Sequence, residues 1–88
     1  ELIKVPNLVT PNGDGLNDVW DLSEIPDIGN TKVSVVNRWG KTVFSTSDYQ
    51  HDWAGTYKGE PLPDGVYIYL IEGSEFYDTL KGPLQIIR

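Results

Sequence analysis

The sequence contains no cysteine and has a single histidine. Without cysteine the chain can form neither a disulfide nor a cysteine-ligated zinc site, and it has no thiol nucleophile, so packing must stabilise the fold. No apolar run approaches the roughly 20 residues of a membrane-spanning helix, so we expect no membrane insertion. A chain of 88 residues has room for one domain without a deep cleft. We therefore interpret residues 1–88 as a single domain.

Basic residues are also scarce. Seven Lys and Arg face 13 Asp and Glu, which gives a formal net charge of −6. Nucleic acid and anionic lipid both require a cationic surface, so neither is the expected partner. The excess of carboxylates favours solubility and is compatible with a bound divalent cation.

The aromatic and turn-forming residues indicate the fold class. Three Trp, five Tyr and two Phe accompany nine Gly and six Pro, and no window keeps apolar residues at helical spacing. A first short strand is predicted with Ile3 and Val5 before Pro6, residues 46–65 are predicted as loops with at most one strand, and Gly82-Pro83 is predicted to interrupt the last strand. The clearest strand patterns are residues 32–37, 42–45, 66–71 and 84–88. About seven short strands predict an all-β, Ig-like antiparallel β-sandwich.

The loop from Thr10 to Asp18 is the strongest candidate for a metal site. Its oxygen-bearing side chains surround two glycines, which is the kind of environment that Ca2+ requires. When Thr10 is aligned with the first position of an EF-hand loop, suitable residues fall at most of the later ligand positions. The candidate Ca2+ ligands are Asn12, Asp14, Leu16, Asp18 and Asp21.

The same loop has a purely structural interpretation. Asn-Gly and Asp-Gly pairs form tight turns, and Asn and Asp side chains accept hydrogen bonds from nearby backbone groups. Thr10 replaces the usual first Asp, Asp21 replaces the usual last Glu, and no helices flank the loop. A strict EF-hand is therefore not expected, and both interpretations remain open.

A catalytic site is not predicted. His51 lies beside Asp52, with Ser45 or Ser47 as a formal nucleophile. Neighbouring residues on an extended chain point to opposite faces, and no glycine elbow surrounds either serine. We interpret His51 as a solvated loop residue and the protein as a non-enzyme.

The aromatic residues could form a sugar-binding platform or a hydrophobic core. Trp53, Tyr67 and Tyr69 are expected to be buried. Trp39 lies at the tip of a predicted hairpin, where Gly40 can adopt the left-handed conformation that a short bulged loop requires. An exposed Trp39 beside Arg38 would be a good interface contact, because Trp and Arg dominate binding hot spots.

Several motifs, taken in order, resemble one family. They are the loop Thr10-Pro11-Asn12-Gly13-Asp14-Gly15-Leu16-Asn17-Asp18, then Asn37-Arg38-Trp39-Gly40, Thr42-Val43-Phe44, Trp53-Ala54-Gly55, Leu62-Pro63-Asp64-Gly65-Val66-Tyr67, and the ending from Gly82 to Arg88. The chain resembles the gliding motility-associated C-terminal domain, or type B sorting domain, of the type IX secretion system.

The resemblance implies an Ig-like sorting signal at the C-terminus of a large secreted or cell-surface protein. Such a domain folds in the periplasm as a monomer and is recognised by translocon components of the outer membrane. Recognition could use the hairpin residues Asn37, Arg38, Trp39 and Gly40, the Asn/Asp/Gly loop, or the last strand with Ile86, Ile87 and Arg88 by edge pairing. The alternative function is a carbohydrate- or surface-binding adhesion module with a Ca2+-shaped loop.

Overall fold

The computed structural model describes residues 4–11, 13, 18–75 and 77–87. These residues contain one 3-10 turn, Ile28–Asn30, and no helix long and apolar enough to cross a bilayer. They form seven strands: β1 Leu8–Val9, β2 Val33–Val36, β3 Thr42–Thr46, β4 Thr56–Tyr57, β5 Glu60–Pro61, β6 Gly65–Ile71 and β7 Leu80–Ile86. The prediction of an all-β, sandwich-like fold with about seven strands is confirmed.

Five of these strands form one sheet, in the order β1-β7-β6-β2-β3, so that β6 is the central strand. All neighbours in it are antiparallel except β1, which runs parallel to β7 with Leu8 opposite Gln85 and Val9 opposite Ile86. The remaining strands, β4 and β5, form a separate two-stranded ribbon. The edge strand β1 therefore departs from a purely antiparallel arrangement.

The core lies on one face of the five-stranded sheet, which we call the inner face. Alternate residues of β2, β6 and β7 point to it, because successive side chains of a strand alternate between faces. Loop residues cover these side chains and complete the second layer. The buried members from the sheet are Val9, Val33, Val35, Val43, Tyr67, Ile71, Leu84 and Ile86, and those from the loops are Trp20, Leu22, Ile25, Ile28, Tyr49, Trp53 and Leu62.

Trp20 is at the centre of the loop layer. It is fully buried, and its ring contacts Tyr49 and Trp53 edge-on at centroid distances of 5.8 and 6.2 Å. Its Nε1 donates to the Pro6 carbonyl at 2.7 Å. The Tyr49 hydroxyl donates to the Trp20 carbonyl and accepts from the Trp53 amide. The polar groups of Trp20 and Tyr49 inside this layer are thus paired, as burial requires.

A β-bulge adapts β3 to this core. The register with β2 shifts between Val35, which faces Phe44, and Val36, which faces Thr42. The extra residue is Val43, so β3 loses its strict alternation. Val43 and Phe44, although adjacent, both contribute to the core, and Phe44 stacks on Trp53 at 5.1 Å.

Three strand predictions need correction. Residues 4–7 contain no strand, and Val5 packs against the core without strand pairing; Ile3, the other residue of the predicted first strand, lies outside the described residues. The interval 46–65 contains two short strands, β4 and β5, where at most one was expected. These pairings depend on contacts between distant segments, which local periodicity does not report.

The third correction concerns Gly82-Pro83, which does not interrupt β7. The amides of Gln85 and Ile87 donate toward the β1 side. Because amide direction alternates along a strand, the backbone nitrogen of Pro83, which carries no hydrogen, also faces β1 and not β6. No bond of the β6–β7 ladder is lost. At Gly82 an added Cβ would lie 2.9 Å from the Tyr69 hydroxyl, so glycine makes room for that ring.

Candidate recognition site

The hairpin between β2 and β3 has the bulged geometry that its sequence predicts. The Gly40 amide donates to the Asn37 carbonyl at 2.9 Å, and Gly40 adopts φ +85°. The Asn37 side-chain oxygen accepts from the amides of Trp39 and Lys41 at 3.0 and 2.9 Å. Asn37 therefore holds the loop in one conformation through local hydrogen bonds.

This rigid loop presents Trp39 to solvent. The Trp39 side chain is 76% exposed, the largest value among the exposed large hydrophobic residues described. The Arg38 guanidinium lies 4.5 Å from the centroid of its ring, which is cation–π geometry. A large aromatic ring and a cation held on a short turn are the residue types that dominate binding interfaces.

A cleft of about 180 Å3 separates the hairpin from the turn that precedes β6. Its volume is close to that of a cavity that accommodates benzene, about 150 Å3. The opposite wall is stabilised by the Tyr67 hydroxyl, which donates to the Pro63 carbonyl at 2.8 Å. The lining residues are Asn37, Arg38, Trp39, Pro63, Asp64, Gly65, Val66 and Tyr67.

The cleft joins two motifs that are distant in sequence. The turn Pro63-Asp64-Gly65 was predicted only as a strand boundary, and its place opposite Trp39 was missed. The antiparallel pairing of β2 with β6, in which Val36 faces Ile68, brings the two turns to the same end of the sheet. Sequence pattern offered no direct indication of that pairing.

Two of the predicted recognition residues at the chain end, Ile86 and Ile87, lie beside this cleft. Ile86 pairs with Gly65 of the cleft wall, but its side chain is fully buried in the core. Ile87 is 42% exposed, and its amide donates to the Val9 carbonyl. Arg88 lies outside the described residues. Of this group, only the side chain of Ile87 is shown to be accessible, so the role of the group stays a prediction.

The predicted calcium ligands are only partly described, because Asn12, Asp14 and Leu16 lie outside the described residues. The Asp18 carboxylate accepts from the Gly13 amide at 3.0 Å. The Asp21 carboxylate accepts from the Ser23 amide at 2.9 Å. Within the described part of the chain no three His, Asp or Glu side chains are grouped as metal ligands. The calcium site stays a prediction.

The interpretation of His51 as a solvated loop residue was wrong. Its side chain is 31% exposed, and its Nδ1 accepts a hydrogen bond from the Leu22 amide at 3.2 Å. The ring contacts Tyr49 edge-on at 5.3 Å. Its φ of +61° is uncommon for a non-glycine residue, and no sequence pattern indicated this contact with the loop layer.

Asp21 lies near the same nitrogen, at 3.9 Å. Hydrogen bonds from the Ser23 side chain and backbone, and to a smaller extent the nearby His51, lower the pKa of the Asp21 carboxyl. The carboxylate is thus kept ionised by neutral donors at the surface. The hydrogen bond from the Leu22 amide to His51 connects two loop segments of the fold, which is a structural role.

Comparison with known proteins supplies the identity. No curated protein sequence and no solved structure matches the chain. The model of one family, described as the CHU_C type IX secretion signal domain, matches residues 3–86. That match covers nearly the whole chain and agrees with the ordered motifs, with the all-β fold and with a role in export to the surface or the medium. The chain belongs to the family of type IX secretion signal domains.

Proposed function

We propose that this domain is the C-terminal sorting signal of a larger cargo protein and that the translocon binds it through the Trp39 hairpin and its cleft. The observation that carries the proposal is the 76% exposure of Trp39 on a loop that Asn37 holds rigid. An exposed aromatic side chain that is already ordered loses little entropy on binding. The end of β7, with Ile87, adjoins the cleft and would extend the contact.

In this proposal the cargo passes through the periplasm, the domain folds there as a monomer, and outer-membrane components of the secretion system bind it before transfer to the surface or the medium. The proposal includes no catalytic role: the Nδ1 atom of His51, the single histidine, already accepts a hydrogen bond from the Leu22 amide. The family match gives no support to the adhesion alternative.

The experiment is an export assay. Residues 1–88 are fused to the C-terminus of a reporter with an ordinary export leader, in a host that has this secretion system. We expect the reporter in the medium or on the cell surface. A reporter that stays in the periplasm would contradict the sorting role.

The role of the hairpin is tested with Arg38→Ala combined with Trp39→Ala. We expect export to fall at least tenfold while the thermal midpoint is unchanged, because both side chains are exposed. Lys58→Ala is the matched control, since Lys58 is another exposed cation over an aromatic ring, 5.4 Å from the centroid of Tyr57. Equal export of both variants would remove the hairpin from the proposal.

A further inference from the structure

The sheet face opposite the core, which we call the outer face, carries a group of apolar side chains centred on β6, bordered by the polar residues Ser34, Thr42, Ser45, Lys81 and Gln85. Register and alternation place on it the even-numbered residues of β6, the even-numbered residues of β2 and the odd-numbered residues of β7. A cleft of about 210 Å3 lies on it, lined partly by Leu8, Val66 and Pro83. Its apolar side chains from the strands are Leu8, Val36, Val66, Ile68, Leu70 and Pro83.

The central strand does not have the pattern of a strand with one face in water. A half-exposed antiparallel strand alternates apolar and polar residues, whereas a strand covered on both faces is apolar throughout. The strand β6 is Gly-Val-Tyr-Ile-Tyr-Leu-Ile. Its inner side chains are Tyr67, Tyr69 and Ile71, and its outer ones are Val66, Ile68 and Leu70. The sequence of β6 is therefore typical of a strand with a layer on each side.

Exposure is concentrated on the same face. Among the described residues, five large hydrophobic side chains are exposed. Val66, Leu70 and Ile87 belong to the outer face, at 53%, 38% and 42% exposure, and Trp39 borders it across the cleft that Val66 lines. Only Val19 lies in a loop elsewhere. Apolar exposure gathered on one face marks an interaction site more often than scattered exposure does.

Charge indicates what kind of surface would cover this face. The five strands of the sheet contain a single charged residue, Lys81, which lies beside Leu70 on the outer face. Arg38 borders the other end, over Trp39. Within the described part of the chain neither cation has a carboxylate in ion-pair distance. The face thus combines an apolar centre with two unpaired cations, in a domain of net charge −6.

We propose that the outer face docks onto a flat, apolar protein surface of the export machinery that carries carboxylates opposite Arg38 and Lys81. The inference rests on the proposed sorting function and names a second contact, next to the Trp39 cleft. Complementary charge fixes the orientation of such a contact and speeds encounter more than it adds affinity.

Two other occupants fit the face less well. A second copy would place cations against a face that has no carboxylate on its strands, so it lacks the complementary charge that orients a contact. An anionic membrane would attract the two cations but repel the acidic loops of the domain.

The test compares threonine substitutions on the outer face with a threonine substitution outside the sheet. Threonine is chosen because it keeps the branched shape of valine and suits a strand. The outer-face variant combines Val66→Thr with Leu70→Thr, and Lys81→Glu is made separately. Val19→Thr is the matched control, an exposed valine outside the sheet. In the export assay we expect at least a tenfold loss for the double variant, a smaller loss for Lys81→Glu and none for Val19→Thr, with thermal midpoints unchanged.

The outcomes separate the two proposals. Failure of the unsubstituted domain to export the reporter would contradict the sorting function itself. Export of the outer-face variant at the unsubstituted level, with the unsubstituted domain exported, would overturn only the docking inference.

A second measurement does not depend on folding of the double variant. A photo-cross-linker at Val66 in the full fusion should join the domain to an outer-membrane protein, at a segment that is apolar and contains Asp or Glu. A cross-link to a second copy, flotation with phosphatidylglycerol vesicles that depends on Val66 and Leu70, or no protein cross-link in exporting cells would overturn the inference.

Discussion

Both faces of the five-stranded sheet carry aliphatic side chains, but they differ in what lies against them. The inner face is covered by loop residues of the same chain, with Trp20 fully buried at the centre. The outer face mixes aliphatic with polar side chains of the same strands, and Val66 remains 53% exposed. The loop layer thus separates the face that stabilises the domain from the face that is available to a partner.

The largest effect is expected where the inner face meets its loop layer. Trp20→Ala removes a fully buried ring and its hydrogen bond to the Pro6 carbonyl. We expect a loss of about 3 to 5 kcal/mol in the free energy of unfolding, measured by urea denaturation. A loss under about 1 kcal/mol would mean that the loop layer contributes little to stability.

The same substitution on the two faces tests the comparison directly. Val35→Thr puts a hydroxyl at a fully buried position of the inner face. We expect it to lower the free energy of unfolding by about 1 to 3 kcal/mol. Val66→Thr on the outer face should change the free energy of unfolding by less than about 0.5 kcal/mol. Denaturation midpoints of the two variants measure the difference. Equal costs would show that the outer face is covered in the isolated domain.

Alkaline pH should weaken the inner layer through Tyr49. Burial raises the pKa of the Tyr49 hydroxyl, so its contribution to stability is fully present below the ordinary tyrosine value of about 10 and is lost as pH rises above it. Tyr49→Phe should make the free energy of unfolding less dependent on pH between about 9 and 11. If the free energy of unfolding of Tyr49→Phe falls with pH as steeply as that of the unsubstituted domain, groups other than Tyr49 cause the loss of stability at alkaline pH.

The same variant has a cost at neutral pH. In Tyr49→Phe the Trp20 carbonyl and the Trp53 amide both lose the tyrosine hydroxyl as hydrogen-bond partner. We therefore expect the free energy of unfolding to fall by about 1 to 2 kcal/mol. A thermal scan at pH 7 measures it, and stability at the unsubstituted level would show that water replaces the hydroxyl.

The smallest effect is expected from addition or removal of metal. The Asp18 and Asp21 carboxylates already accept bonds from the Gly13 and Ser23 amides. We expect that a chelator leaves the thermal midpoint unchanged and that titration with CaCl2 releases no heat. Binding heat together with a raised midpoint would establish the calcium site.

Local chemistry was sufficient for several features. The bulged hairpin with Gly40 at positive φ followed from turn residues, and the burial of Trp53 followed from its large aromatic side chain, whereas the exposure of Trp39 was left open. The ordered motifs were also sufficient for the family, because their combination is far more specific than any one of them.

Other features depended on segments far apart in the chain. His51 accepts from an amide 29 residues away, and Pro83 is compatible with β7 because its side toward β6 needs no donor. Neither relation produces a periodic pattern, so sequence reasoning placed His51 in solvent and ended the strand at Gly82.

The sequence by itself therefore determined the all-β class, the hairpin and the secretion-signal family, since each depends on local propensity or on motif order. Only the tertiary structure decided which face of β6 the chain covers. A strand that is apolar on both sides has no alternation from which its buried face can be inferred. The choice arises from the loops around Trp20, Tyr49 and Trp53, which pack against one face and leave the other exposed.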